Sequence, residues 1–127
     1  MGKQVVHSPH LPPAKGPYSP GVRVGDLLFV SGMGPLDPAT GAVISGDFAA
    51  MVHRTLDNIA LVLAAAGVGM DRVVKTTVYL ADLGRFAEMN EIYAGYFPGV
   101  PPARTTIQAA RLPLDIPIEI EAIAYLG

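Results

Sequence analysis

The chain has 127 residues, half of them hydrophobic and 16% charged, with a net charge of −2 and no cysteine. Disulfides, thiolate nucleophiles and cysteine-held metals are therefore excluded, and nine scattered Lys and Arg residues offer no patch that would track a phosphate backbone. The length suits one domain over residues 1–127.

A domain of this size buries only about two-thirds of its unfolded surface, so the apolar content exceeds what a small monomer needs. The surplus points to a subunit interface in a closed homo-oligomer, the alternative being an Ala- and Val-rich monomeric core. No basic-then-apolar leader opens the sequence, and its longest apolar run, residues 59–66, is shorter than a membrane span. A soluble, cytoplasmic protein is the expectation.

"KQVVH" reads as a short edge strand, and the prolines and glycine of "HSPHLPPAKGP" exclude regular structure there. "VRVGDLLFVSG" has two apolar arms around Gly25-Asp26, a pair suited to a tight primed turn, so a hairpin is predicted. "PLDPATGAVI" is turn-rich and returns to another short strand. From Asp47 the period becomes helical, with Phe48, Met51, Val52, Thr55, Leu56, Ile59, Val62, Leu63 and Ala66 on one stripe. Asp47 caps its start, and Gly67 and Gly69 end it.

"RVVKTTVYLAD" predicts a β-branched strand with Val74, Thr76, Val78 and Leu80 on one face. Asp82 is the predicted cap of a second helix whose inner stripe is Phe86, Met89 or Asn90, Tyr93 and Phe97, stopped by Pro98. "RTTIQAA" is a further strand, and "RLPLD" connects it to the terminal strand "IPIEIEAIAYL". There Ile116, Ile118, Ile120, Ala122 and Ala124 form a core face, while Glu119 and Glu121 project together from the other face, roughly 7 Å apart. The expected fold class is α+β, one mixed β-sheet with two α-helices packed on one face. With no third helix to cover the opposite face, a neighbouring subunit is its natural cover.

Pro101, Pro102 and Ala103 stiffen the approach to Arg104, whose planar fork suits a carboxylate or phosphate. Two readings of Arg104 are open: an anion clamp, or a structural ion pair with Glu121 or Glu119. A plain hairpin between the last two strands would set Arg104 directly against Glu121. A clamp beside a carboxylate base is a minimal kit for activating water against a small carboxylate substrate, and period alone does not choose between the glutamates.

Tyr18 in "GPYSPG" is either a ligand-orienting phenol or an ordinary loop tyrosine, and the glycines of "SGMG" permit close backbone approach or mark a plain bulge. Asn90 is a site residue or a local hydrogen-bonder. His7 and His10 lack a third ligand nearby, so no metal site is read there. No serine stands in a nucleophile elbow, and no glycine pattern makes a phosphate loop.

"GPYSPG", "SGMGPLDPATG", "TLDNIALVLAAAG", "VVKTTVYLADLGRFAEMNEIYAGYF", "PPARTTI" and "LPLDIPIEIEAIA", in that order over nearly the whole chain, resemble the reactive intermediate deaminase family, the RidA or YjgF group. The resemblance implies a chorismate-mutase-like subunit that assembles as a homotrimer with clefts between subunits. It assigns Arg104 to the substrate carboxylate and Glu119 to water activation, with Glu121 in support. Tyr18, Gly32 and Asn90 become substrate-binding residues. Many members carry cysteine where Thr106 stands and glutamine where Met33 stands; Thr106 keeps a hydrogen-bond donor, and Met33 makes its wall less polar.

The implied reaction is hydrolysis of 2-imino or enamine carboxylates, such as 2-iminopropanoate to pyruvate and ammonia, with no metal or organic cofactor. The alternatives are a non-catalytic trimer that binds small carboxylates, deamination of a larger substrate such as an aminomuconate, and an endoribonuclease. The acidic balance and the lack of histidines near the presumed cleft count against the last, and against nucleic acid as a partner.

Overall fold

A computed structural model describes residues 2–11 and 14–127; Pro12 and Pro13, in the segment read as irregular, lie outside the described residues. Strands β1 (Gln4–Val6), β2 (Gly21–Val24) and β3 (Leu27–Met33) precede helix α1 (Phe48–Ala65) and strand β4 (Val73–Leu80). Helix α2 (Phe86–Tyr96), β5 (Ala103–Gln108) and β6 (Ile118–Tyr125) complete the chain. The six strands form one sheet in the order β1-β2-β3-β6-β4-β5, antiparallel except for the β4–β5 pair. Both helices pack on one face, so the α+β mixed sheet expected from the sequence is the observed architecture.

Chain chemistry accounts for the elements directly. Val24 and Leu27 face each other across Gly25-Asp26, and Gly25 takes the left-handed conformation that the tight turn requires (φ 56°). Asp47 Oδ1 accepts from the Ala50 amide at 2.9 Å to open α1, and Gly67 at φ 84° follows its end. Val52, Leu56, Ile59, Val62 and Leu63 of α1 are at most 1% exposed against the sheet, a burial worth about 1.5–3 kcal/mol for each side chain. By length and composition alone α1 could cross a membrane, although the longest uninterrupted apolar run, residues 59–66, is shorter than a span. Its apolar stripe is instead spent on the sheet.

Three local expectations are corrected. Val74 does not share the core face, because a register shift between Val73 and Lys75 makes a bulge that turns Val74 outward while Thr76, Val78 and Leu80 stay buried. Asp82 caps a short 3₁₀ turn over Leu83–Arg85, bonding Gly84 N at 2.8 Å, and α2 begins only after it. Most consequentially, β5 and β6 do not form a hairpin. β5 crosses over through α2 to run parallel with β4, and β6 returns to insert between β3 and β4. Parallel neighbours need such a crossover, and "RLPLD" serves as the passage to a distant slot rather than as a tight turn.

The core lies between helices and sheet. The opposite face carries Leu27, Phe29, Ile107 and Tyr125, all exposed, beside Lys75, Thr77, Tyr79, Glu119 and Glu121.

Candidate active site

Strand pleating sorts the predicted site residues into two groups. Arg104 and Thr106 alternate with Thr105 and Ile107, pair in register with buried Thr76 and Val78, and so point to the helix side. The Arg104 guanidinium lies 4.8 Å from the Tyr93 ring centroid and 5.5 Å from that of Phe86, two rings that α2 supplies. Tyr93 is fixed in turn by a 2.7 Å bond between its hydroxyl and Thr76 Oγ1, and burial pushes its pKa up. A cavity of about 540 Å3 opens here, lined by Asn90, Tyr93, Phe97, Pro101, Pro102 and Arg104 among others.

No ion pair engages Arg104 among the described residues. Asn90 Oδ1 and Thr106 Oγ1, on the same side, are buried without a hydrogen-bond partner. Orphaned buried polar atoms are rare, and these two stand beside an uncommitted cation.

Glu119 projects from the other face of the sheet. Ile118 and Ile120, its neighbours on β6, are fully buried beneath the helices, whereas Glu119 lines a cavity of about 520 Å3 with Lys15, Tyr18, Ser31, Gly32, Leu36 and Leu114. Burial and then the charge of Glu121 raise its pKa above the ordinary glutamate range, and no donor bonded to it offsets either. Gly32 makes this placement possible. A register shift between Val30 and Met33 bulges β3 at Ser31-Gly32, and a Cβ at position 32 would stand 2.5 Å from Glu119 Oε2. The bare backbone is what lets the carboxylate lie across it.

The remaining predicted residues divide accordingly. Tyr18 joins the Glu119 cavity, its hydroxyl accepting from the Lys15 amide at 3.2 Å, while Asn90 joins Arg104. Met33 points into the core rather than forming a wall of the Glu119 cavity. The ion-pair reading of Arg104 fails within one chain, because without the β5–β6 hairpin Glu121 lies on the face opposite to Arg104. Its Oε1 accepts from the Tyr79 hydroxyl at 2.9 Å instead. Arg104 and Glu119 are equally separated by the sheet. A single chain thus carries the Arg104 cavity and the Glu119 cavity on opposite faces of the sheet.

Two contributors escaped the sequence reading. Asn58, fully buried on α1, donates to the carbonyls of Gly34 (3.1 Å) and Leu36 (2.8 Å) and accepts from Arg54 Nε at 3.0 Å, which pins the loop bordering the Glu119 cavity. A polar residue among stripe positions was its only signal. Leu114 was the other; nothing in "RLPLD" advertises that it forms part of a cavity wall.

An α+β subunit with two helices on one face of a six-stranded mixed sheet is an architecture that solved structures share. The sequence profile of the family described as endoribonuclease L-PSP matches residues 9–126. The mouse 2-iminobutanoate/2-iminopropanoate deaminase is 42% identical over 125 residues, covering 98% of this chain and 93% of that protein. The Arabidopsis thaliana chloroplastic reactive intermediate deaminase A is 46% identical over 124 residues, 98% of this chain and 66% of that protein. The crystal structure of the E. coli YjgF gene product superposes with a TM-score of 0.91 at 39% identity, covering 98% of this chain and 99% of that one. The chain belongs to the RidA/YjgF family, whose members include proteins named as deaminases.

Proposed function

We propose that the chain is a hydrolytic deaminase of 2-imino carboxylates, working as a homotrimer in which the Arg104 half-site of one protomer meets the Glu119 half-site of the next. The observation that carries this reading is the separation itself. Each half-site holds uncommitted polar groups, each has an open cavity, and the sheet keeps them apart within one chain. Because β5 is the edge of the sheet, seating that edge of one copy against the uncovered sheet face of the next joins the halves and covers the exposed apolar residues Leu27, Phe29, Ile107 and Tyr125.

Arg104 binds the substrate carboxylate through a bidentate fork, pre-aimed by the rings beneath it. Asn90 and Thr106, on the Arg104 side, and the backbone at Gly32, on the Glu119 side, hold the rest of the polar end. Glu119, its pKa raised by burial and by the charge of Glu121, takes a proton from water as oxygen adds to C2 and the C=N π pair moves to nitrogen. It returns that proton to the nitrogen, giving the carbinolamine, then takes the carbinol O–H proton and passes it to the same nitrogen as the C–N bond breaks, so that NH3 leaves and the oxygen closes to the keto group. The imine is intrinsically reactive, so positioning supplies most of what is needed. The names borne by the mouse and Arabidopsis relatives agree with this chemistry.

The test couples a serine/threonine dehydratase to the purified protein and follows imine loss together with keto acid formation. Acceleration of both above the buffer rate is expected, with Glu119→Gln silent yet still binding pyruvate. A wild type that binds pyruvate but leaves both rates unchanged is a carboxylate-binding trimer and not an enzyme for this substrate.

A further inference from the structure

The passage from β5 to β6 contains the only non-glycine residues with positive φ among the described residues, Leu114 at 59° and Asp115 at 53°. Left-handed backbone suits glycine or asparagine and is unfavourable for leucine. Leu114 is also 57% exposed, so its position satisfies neither backbone nor burial preference. The surrounding structure nonetheless fixes it. Leu112 and Ile116 are buried on either side, and the amides of Asp115 and Ile116 bond back to the carbonyls of Leu112 (3.0 Å) and Pro113 (3.3 Å). Asp115 receives both arms of the Arg111 guanidinium, at 2.6 and 3.0 Å. Gly34, where a Cβ would stand 2.6 Å from Ile116 Cδ1, lets the anchor seat fully.

Strained backbone that its surroundings hold in place clusters at active sites and ligand clamps. Leu114 lines the Glu119 cavity, continuing an apolar wall made with Leu36, Pro113 and Ile116 across from the polar end at Ser31, Gly32 and Glu119. The cavity is therefore polar at one end and apolar at the other. We propose that Leu114 is a specificity-determining residue: it completes an apolar subsite for the substrate side chain and favours 2-imino acids with branched aliphatic side chains over 2-iminopropanoate.

This inference rests on the deaminase reading above, and its test is built to fail separately. Leu114→Gly removes the side chain at a position whose backbone glycine prefers, so the thermal midpoint and oligomeric state should stay close to wild type; Leu114→Asn, also tolerant of this backbone, is the second variant. Imines generated in situ by an amino-acid oxidase from leucine and from alanine are the substrates. Pyruvate and 4-methyl-2-oxopentanoate, titrated calorimetrically, are the binding probes. The wild type should favour the leucine-derived imine and the longer keto acid, and both variants should lower that preference about 10-fold, the scale of one or two methylene contacts. An unchanged preference in both variants overturns the assignment, as does a loss of preference that merely follows dissociation of the oligomer. If the wild type turns over neither imine, the deaminase reading fails, and the keto acid titrations alone decide whether Leu114 selects side chains.

Discussion

Replacing Gly32 by alanine probes the placement of Glu119 without touching its chemistry. The added Cβ would stand 2.5 Å from Oε2, 2.8 Å from Cδ and 3.1 Å from Cγ of Glu119. Gly32 does not use left-handed backbone, so alanine suits the main chain, and the group that must yield is the end of a flexible side chain. Restoring ordinary contact at 3.4 Å or beyond displaces the carboxylate by on the order of 1 Å, a misplacement that costs about 100-fold in rate. That is roughly 2.7 kcal/mol of barrier. The assay is kcat/KM for dehydratase-generated imine beside a thermal melt, with a crystal structure to locate the carboxylate. The expected result is a fall of about two orders of magnitude with a melting temperature within a few degrees of wild type. Full activity in Gly32→Ala would refute the reasoning, and so would a loss explained by unfolding.

Glu119→Gln should abolish turnover while stabilising the fold at neutral pH. The carboxyl has a raised pKa, so the folded state favours its protonated form; Glu119 contributes stability below the ordinary glutamate range and loses it as pH rises through the elevated value. The melting-temperature gain of the variant is therefore expected at pH 7 and should shrink as pH falls toward 4; a gain that grows on acidification would contradict the cause assigned to the shift. Asn58→Ala leaves the Gly34 and Leu36 carbonyls without their buried donor, a cost of about 2–4 kcal/mol, or roughly 8–15 °C in a calorimetric melt. A drop under a few degrees would show that water replaces the amide at no cost. Arg104→Lys keeps the charge and loses the fork, and pyruvate titration should show about 10- to 100-fold weaker binding; equal affinity would mean that charge alone recruits the carboxylate.

Most of the fold was legible because local signals and tertiary demands agreed. Gly25-Asp26, Asp47 and Gly67 are punctuation with a mechanism, and the apolar stripe of α1 could belong only to a helix on a sheet. Strand order was not legible in the same way. Period 2 reports which residues share a face and is silent on which strand lies alongside, so the hairpin that brought Arg104 to Glu121 was a connectivity guess that "RLPLD" could not arbitrate. Val74 was misplaced because one extra residue reverses the alternation, and nothing in "RVVK" announces a bulge. For the site, residue types and their faces were readable, and the cavity role of Leu114 was hidden because leucine is the wrong residue for the backbone it adopts.

The joining of two half-sites across a subunit boundary is most directly tested by mixing inactive partners. Arg104→Ala and Glu119→Gln protomers, unfolded together and refolded in equal amounts, should regain about one quarter of wild-type imine hydrolysis, because a cleft in a cyclic trimer is intact when both donors are the unmutated ones. Refolding either variant alone should regain nothing. A mixture no more active than its parents would contradict the shared cleft, since residues working within one chain cannot be restored by a neighbour.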